Sequence, residues 1–143
     1  MATGSRNDPY GAFRFQVDVG GGSAAFSECS GLTTETDVIE YRNGDEDITV
    51  RKLPGLKKFT NISLKRGFTD SKDLWEWRKT VMDGKTERRS GTITLLDEEG
   101  SPALKWNFEE GWPSKWEGPG LNAKNNEVSI ETLEISCEKI ELA

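Results

Sequence analysis

Alternation starts at residue 13. Phe13, Phe15, Val17 and Val19 share one side of an extended segment and Arg14, Gln16 and Asp18 the other, which predicts a half-buried strand. Three glycines follow at 20–22, then a second short run, SAAFSECS, so the glycines are expected to turn a hairpin. A phosphate-binding loop is the competing reading of a Gly-rich stretch, but no helix opens after this one. Residues 34–42 predict a further strand. At Ile62 and Leu64 the period is again two, Gly67 breaks it, and the spacing then changes to 3.6.

That change predicts a helix over about residues 70–83. Leu74, Trp77 and Val81 form its stripe, Trp75 and Met82 widen it, and Lys72, Glu76 and Lys79 face away. Asp70 and Asp73 resemble a capping box, and Gly84 stops the run. Such a short helix is marginal in water and needs an apolar bed.

Beyond the helix, RRSGTITLLD and ALKWNFEE read as a hairpin across the acidic turn 97–100, with Ile93 and Leu95 matched to Leu104, Trp106 and Phe108. GWPSKWEGPGLNAKNN is expected to be a packed loop, since Trp112 and Trp116 have large rings to bury. In the last stretch Val128 and Ile130 alternate, and Leu133, Ile135 and Cys137 restart out of phase. That slip predicts a β-bulge near Thr132, the kind of bend that barrel closure uses. The expected core is Phe13, Phe15, Val17, Ile62, Leu64, Leu74, Trp77, Val81, Trp106, Phe108, Ile130, Leu133 and Ile135.

These elements make a mainly β chain, a small barrel or sandwich with one flanking α-helix. At 143 residues it is expected to be a single domain, 1–143, opened by a flexible arm at 1–10. The apolar fraction of 34% is low, and disorder is the competing reading, but five Trp and six Phe argue against it.

One segment exceeds ordinary loop length. Between residues 42 and 58, acids at Asp45, Glu46 and Asp47 precede bases at Arg51, Lys52, Lys57 and Lys58, and Pro54-Gly55 is expected to break the chain. It could pair with its copy in another subunit or be a solvated flap, and the residues alone leave both open.

Charge and chemistry narrow the function. A net charge of -6 disfavours a duplex nucleic-acid backbone as a general partner. There is no His, which removes the commonest general base and metal ligand. Cys29 and Cys137 cannot make a zinc site, and the acid runs at 45–47 and 97–99 do not match a calcium loop. No catalytic, cofactor or metal residue is assigned. No run approaches membrane-spanning length, and synthesis in the cytoplasm with no stable membrane anchoring is expected. Bare strand edges would be resolved by self-assembly.

Several blocks carry a resemblance over nearly the whole chain: DPYGAFRF, FSECSGL, EYRNG, RKLPGLKKFTNISLKRGFTDSKDLWEWR, GWPSKWEGPGLNA and NEVSIETLEI. Together they resemble the T4-type contractile phage tail tube family, including the inner tube proteins of phage-tail-like injection particles. Cys137 departs from the pattern, in which many relatives carry His. The resemblance implies a fold similar to the haemolysin-coregulated protein of type VI secretion. It also implies hexameric rings stacked into a hollow tube, driven through a target membrane by a contracting sheath, with protein or DNA cargo in the lumen. The implied partners are the chain itself, the sheath, baseplate or tube-initiator proteins and a tail terminator. The mature protein would reside in a phage tail or an injection particle.

On that resemblance Arg42, Asp45, Glu46, Asp47, Arg51, Lys52, Leu53, Leu56, Lys57 and Lys58 become subunit-interface candidates, with Trp75 and Met82 on the helix. The arm is a further candidate contact, and Thr92, Thr94 or Glu131 are candidates for the lumen wall. Two other classes compete: a monomeric β-barrel binding a small ligand in a deep apolar pocket, and an enzyme using acids such as Asp97 and Glu98.

Overall fold

The computed structural model describes residues 11, 14–20, 23–24, 26–42, 44, 49–68, 71–124 and 128–143. Phe13, Asp45, Glu46, Asp47, Asp70 and the arm at 1–10 lie outside them. Strands β1 (Phe15–Val19), β2 (Ser23–Ala24) and β3 (Glu28–Ser30) are followed by β4 (Thr34–Tyr41), β5 (Arg51–Phe59) and β6 (Ile62–Gly67). Helix α1 (Asp73–Met82) separates these from β7 (Arg89–Leu96), β8 (Pro102–Glu117), β9 (Ile130–Ser136) and β10 (Lys139–Leu142). The main sheet is antiparallel and runs β2-β1-β7-β8-β9-β6-β3, with β10 joined to β8. Its path is open, ending at β2 and β3, so among the described residues the sheet does not close by hydrogen bonds.

The bend lies in β8. Its first half pairs with β7 and β10, and its second half with β9. At the crossing, Glu110 takes a positive φ of 54° and Gly111 follows. A Cβ on Gly111 would stand 2.8 Å from the Phe108 ring and 2.9 Å from Ile135, so only glycine lets the strand pass over both. Residues 111–117, expected as loop, are therefore strand: Trp112 pairs with Ser136 and Trp116 with Leu133, and a register shift between Pro113 and Lys115 absorbs the proline. Similarly, SAAFSECS is two strands on different parts of the sheet, β2 beside β1 and β3 beside β6.

No bulge occurs at Thr132. β9 pairs with β6 in unbroken register from Ile130 to Ile135, and the phase that enters the core is Glu131, Leu133 and Ile135. Ile130 consequently points away from the core and is 43% exposed, a correction to its expected place. The chain breaks instead at 137–138, before β10.

The core joins both halves of the sheet: Val17, Ile93, Phe108 and Ile140 meet Ile62, Leu64, Leu133 and Ile135. Leu74 and Trp77 of α1 complete it, while Phe15 and Trp106 are half-buried against its edge. Val81, expected in the core, is only half-buried, because it lies in the last turn of a helix that is buried through Leu74 and Trp77. Trp77 donates its indole N–H to the Glu87 carbonyl at 2.7 Å and carries the Arg89 guanidinium 4.8 Å from its ring centroid. The helix starts at Asp73, later than the expected 70, with Lys72 at the cap position and no side-chain cap bond. Asp73 is the first helical residue and not the third of a capping box, and its carboxylate is held by Arg66 and Ser71.

Candidate functional site

Residues 34–59 leave the main sheet. β4 and β5 form a two-stranded ribbon of their own, and Thr60 ties its base through its N–H to the Thr33 carbonyl and its hydroxyl to that of Gly31. Pro54 and Gly55 do not break the chain; they lie inside β5, which pairs on one side only and so tolerates a proline. Thr36 faces Lys57 and Val38 faces Pro54, so Asp37 alone opposes Gly55 and Leu56 in a bulge. Lys58 reaches Asp37 at 3.0 Å across the ribbon, and that hydrogen bond holds the Lys58 ammonium above its ordinary pKa.

Ladder register sorts the ribbon's side chains. Ile39 stands opposite Leu53 and Tyr41 opposite Arg51, on one face. Thr36, Val38 and Glu40 stand opposite Lys57, Pro54 and Lys52 on the other. Ile39, Tyr41 and Leu53 are about half exposed and Leu56 is 73% exposed, so this apolar face has no cover among the described residues. Arg42, Arg51, Lys52 and Lys57 are exposed around it.

A second surface forms at the start of α1. Trp75, 38% exposed, lies with its ring 4.9 Å from that of Trp116, and Phe68 meets Trp116 edge-on at 6.1 Å. These rings, with Ser71, Lys72 and Glu131, line an open groove of about 300 Å³. Met82 is exposed further along the helix.

Beneath the groove sits a charged network. Arg66 donates to Glu131 on β9 and to Asp73 on α1, and Glu131 accepts the Trp116 indole N–H at 3.1 Å. Partial burial alone would raise Asp73, but the hydrogen bonds from Arg66 and Ser71 and the Arg66 charge outweigh it and leave the carboxyl below its ordinary value. Burial alone would lower Arg66, and the bonds to Asp73 and Glu131 instead raise it. Glu131 is 2% exposed, which removes it from the lumen-wall candidates. Phe68, Trp116, Arg66 and Glu131 were not singled out together from sequence. The available signal was a pair of opposite charges, one in the apolar phase of Ile62-Leu64 and one in that of Leu133-Ile135.

Thr92 and Thr94 lie on the polar face of β1, β7, β8 and β10. Gln16, Thr94 and Lys105 form one row across it, and Asp18, Thr92, Asn107 and Glu141 the next.

The acidic turn is structural. One Asp97 oxygen accepts the Glu99 and Ser101 backbone N–H groups at 2.9 Å, and Glu98 and Glu99 are exposed. Among the described residues no group of three or more potential metal ligands gathers. Cys29 and Cys137 are free thiols. Cys29 lines an apolar recess of about 260 Å³ with Phe15, Leu32, Ile93, Leu95 and Trp106, and burial pushes its pKa up to about 11.

The T4-like virus tail tube protein gp19 family model matches residues 11–141. The chain belongs to that family. No curated protein matches it by sequence. Among solved structures it is similar to a chain of the PVC sheath-tube complex of an extracellular contractile injection system in the extended state. There the identity is 28%, the TM-score 0.87, and the match covers 94% of this chain and 91% of that one. A chain of the anti-feeding prophage tube terminating cap matches at 26% identity and TM-score 0.90, over 99% and 95% of the two chains. Hcp1 from Flavobacterium johnsoniae, at 18% identity and TM-score 0.59 over 90% and 94%, shares the fold. The tail tube subunit is thus a structural component of a contractile tail or injection particle and not an enzyme. Neither family nor neighbours support a small-ligand carrier.

Proposed function

We propose that the chain assembles into hexameric rings that stack as the inner tube of a contractile particle. The observation that carries this is the family match over residues 11–141, joined to a likeness of nearly full length to a sheath-tube complex. The tube is driven through a target membrane when the surrounding sheath contracts, and protein or DNA cargo travels in its lumen. Its partners are further copies, the sheath, a baseplate or initiator protein at one end and a terminator at the other. It is made in the cytoplasm before incorporation.

Within that assembly the segment 42–58 is an inter-subunit contact and the arm at 1–10 a second. The ribbon supports the first assignment, since a two-stranded ribbon with an uncovered apolar face is marginal alone and gains order from a neighbour. The polar rows from Gln16 to Lys105 and from Asp18 to Glu141 suit a channel wall, because hydroxyls, amides and mixed charges offer cargo no apolar surface to adhere to.

Negative-stain electron microscopy of the purified chain, alone and with its sheath protein, tests the reading. Rings or hollow tubes are expected. A chain that stays monomeric at every concentration and beside the sheath would overturn it.

A further inference from the structure

Most large exposed apolar side chains of the described residues gather at two places, with Leu121 and Leu142 outside both. The ribbon holds Val38, Ile39, Tyr41, Val50, Leu53 and Leu56. The flank of α1 holds Phe68 and Trp75 at the groove and Met82 further along, with Val128 and Ile130 beside Phe68 at the start of β9.

Symmetry decides how two such patches are used. A tube with a baseplate at one end and a terminator at the other is polar, so no two-fold axis relates neighbouring copies in it. Every contact in a ring, or between stacked rings, is then heterologous: one patch of a copy meets a different patch of the next. An apolar ribbon face cannot cover itself by meeting the same face of a neighbour. It needs a different apolar surface, and of the two apolar recesses among the described residues the α1 groove presents exposed rings, Phe68 and Trp75, whereas the apolar side chains of the Cys29 recess are buried or half-buried.

We propose that the Ile39–Leu53–Leu56 surface of the ribbon docks into the Phe68–Trp75–Trp116 groove of an adjacent copy. This rests on the tube reading above and adds the acceptor that the reading leaves open. The groove of about 300 Å³ is open to solvent and takes one or two aliphatic side chains. Arg66 is a positioning residue for it. By holding Asp73 at the helix start and Glu131 beneath the indole N–H of Trp116, it fixes both groove walls before the neighbour arrives. Binding then orders the ribbon and leaves the acceptor unchanged, and a rigid acceptor lowers the entropic cost of association.

Engineered disulfides test the contact inside assembled tubes. On a Cys29→Ser, Cys137→Ser background, each of Ile39→Cys, Leu53→Cys and Leu56→Cys is combined with Trp75→Cys and oxidised after assembly. At least one pairing is expected to give a ladder of covalent multimers on denaturing gels, while the single-cysteine chains give none beyond a dimer. Tubes that form from every pairing without a ladder overturn the docking and leave the tube reading intact. Failure of the unmodified chain to form rings or tubes with its sheath overturns the tube reading itself.

Where the cysteine chains do not assemble, Leu56→Asp and Trp75→Lys decide. Each is expected to reduce the assembled fraction at least tenfold while the monomer still melts cooperatively, at an unchanged temperature for Leu56→Asp and a slightly lower one for Trp75→Lys, which loses its contact with Trp116. The double variant is expected to recover most of the assembly. A double variant no better than either single overturns the docking.

Discussion

Arg66 and Glu131 face each other across the β6–β9 ladder with both side chains turned toward the core, and Arg66 donates to the Glu131 carboxylate there. The same guanidinium holds Asp73, so one residue joins two strands to the start of the helix. Replacing Glu131 leaves the Arg66 guanidinium with Asp73 alone and takes the acceptor from the Trp116 indole N–H. Glu131→Ala is expected to destabilise the subunit by about 3 to 5 kcal/mol. The double change Arg66→Met, Glu131→Leu should recover most of that loss, because an apolar pair carries no desolvation cost. Denaturant unfolding of the three proteins checks both, and a double variant as weak as the single would show that the pair is worth more than its replacement.

The Arg66–Asp73 half of the network makes stability depend on acid. Asp73 has a folded pKa below its unfolded value, so its contribution is complete above the ordinary aspartate range and is lost as pH falls through the folded value. Wild type should therefore exceed Asp73→Asn in melting temperature near neutral pH, and the gap should start to close as pH falls below about 4. A gap constant down to pH 2 would mean that the Asp73 charge does not act through Arg66.

Trp77 is 1% exposed and meets the sheet, the Glu87 carbonyl and Arg89. Trp77→Ala should cost about 3 to 5 kcal/mol through the lost contacts and the cavity left behind. Trp77→Phe should cost less while still losing the indole hydrogen bond. Thermal unfolding that leaves both variants equal to wild type would remove Trp77 from the core.

Periodicity made the ten-residue helix legible because Leu74 and Trp77 recur at helical spacing, and β1 and β6 because Val17, Ile62 and Leu64 alternate. It misplaced the bend for a physical reason. Glu131 carries a charge in an apolar phase, so the run from Val128 looked as if it had slipped at Thr132, when a partner charge on the neighbouring strand allows Glu131 to be buried in step with Leu133. The second half of β8 was hidden by Gly111, Pro113 and the following glycines, which read as loop residues until cross-strand pairing and the crowding at Gly111 are known. The ribbon's length was visible as an excursion, but its bulge was not, since Pro54-Gly55 marks a break as readily as an interruption of register. The groove joins Phe68, Trp75 and Trp116 from distant parts of the chain, and no local pattern brings them together.

Burial governs the thiols as well. With its pKa raised to about 11 by desolvation, Cys29 holds very little thiolate near pH 8. A disulfide reagent should react with it on the order of 100-fold more slowly in the folded protein than in denaturant. Burial also raises Cys137, so both thiols should lag. Stopped-flow thiol counting with and without denaturant makes the comparison, and a fast folded-state phase equal to one thiol would contradict the buried setting of one of them.

Separating fold from assembly is the strictest demand on the ribbon. β4 and β5 pair with each other and with no strand of the main sheet, and the shared core draws on β1, β6–β10 and α1. Deleting residues 43–57 should therefore leave a cooperatively melting subunit whose core transition resembles wild type, while tubes disappear from negative-stain fields. The two measurements answer different questions. A deletion that abolishes the melting transition would make the ribbon part of the fold and remove the basis for treating it as an appendage. One that melts normally and still forms tubes would remove its role as a contact. Loss of tubes with melting preserved is the outcome expected of an element whose apolar face is completed only by a neighbouring copy.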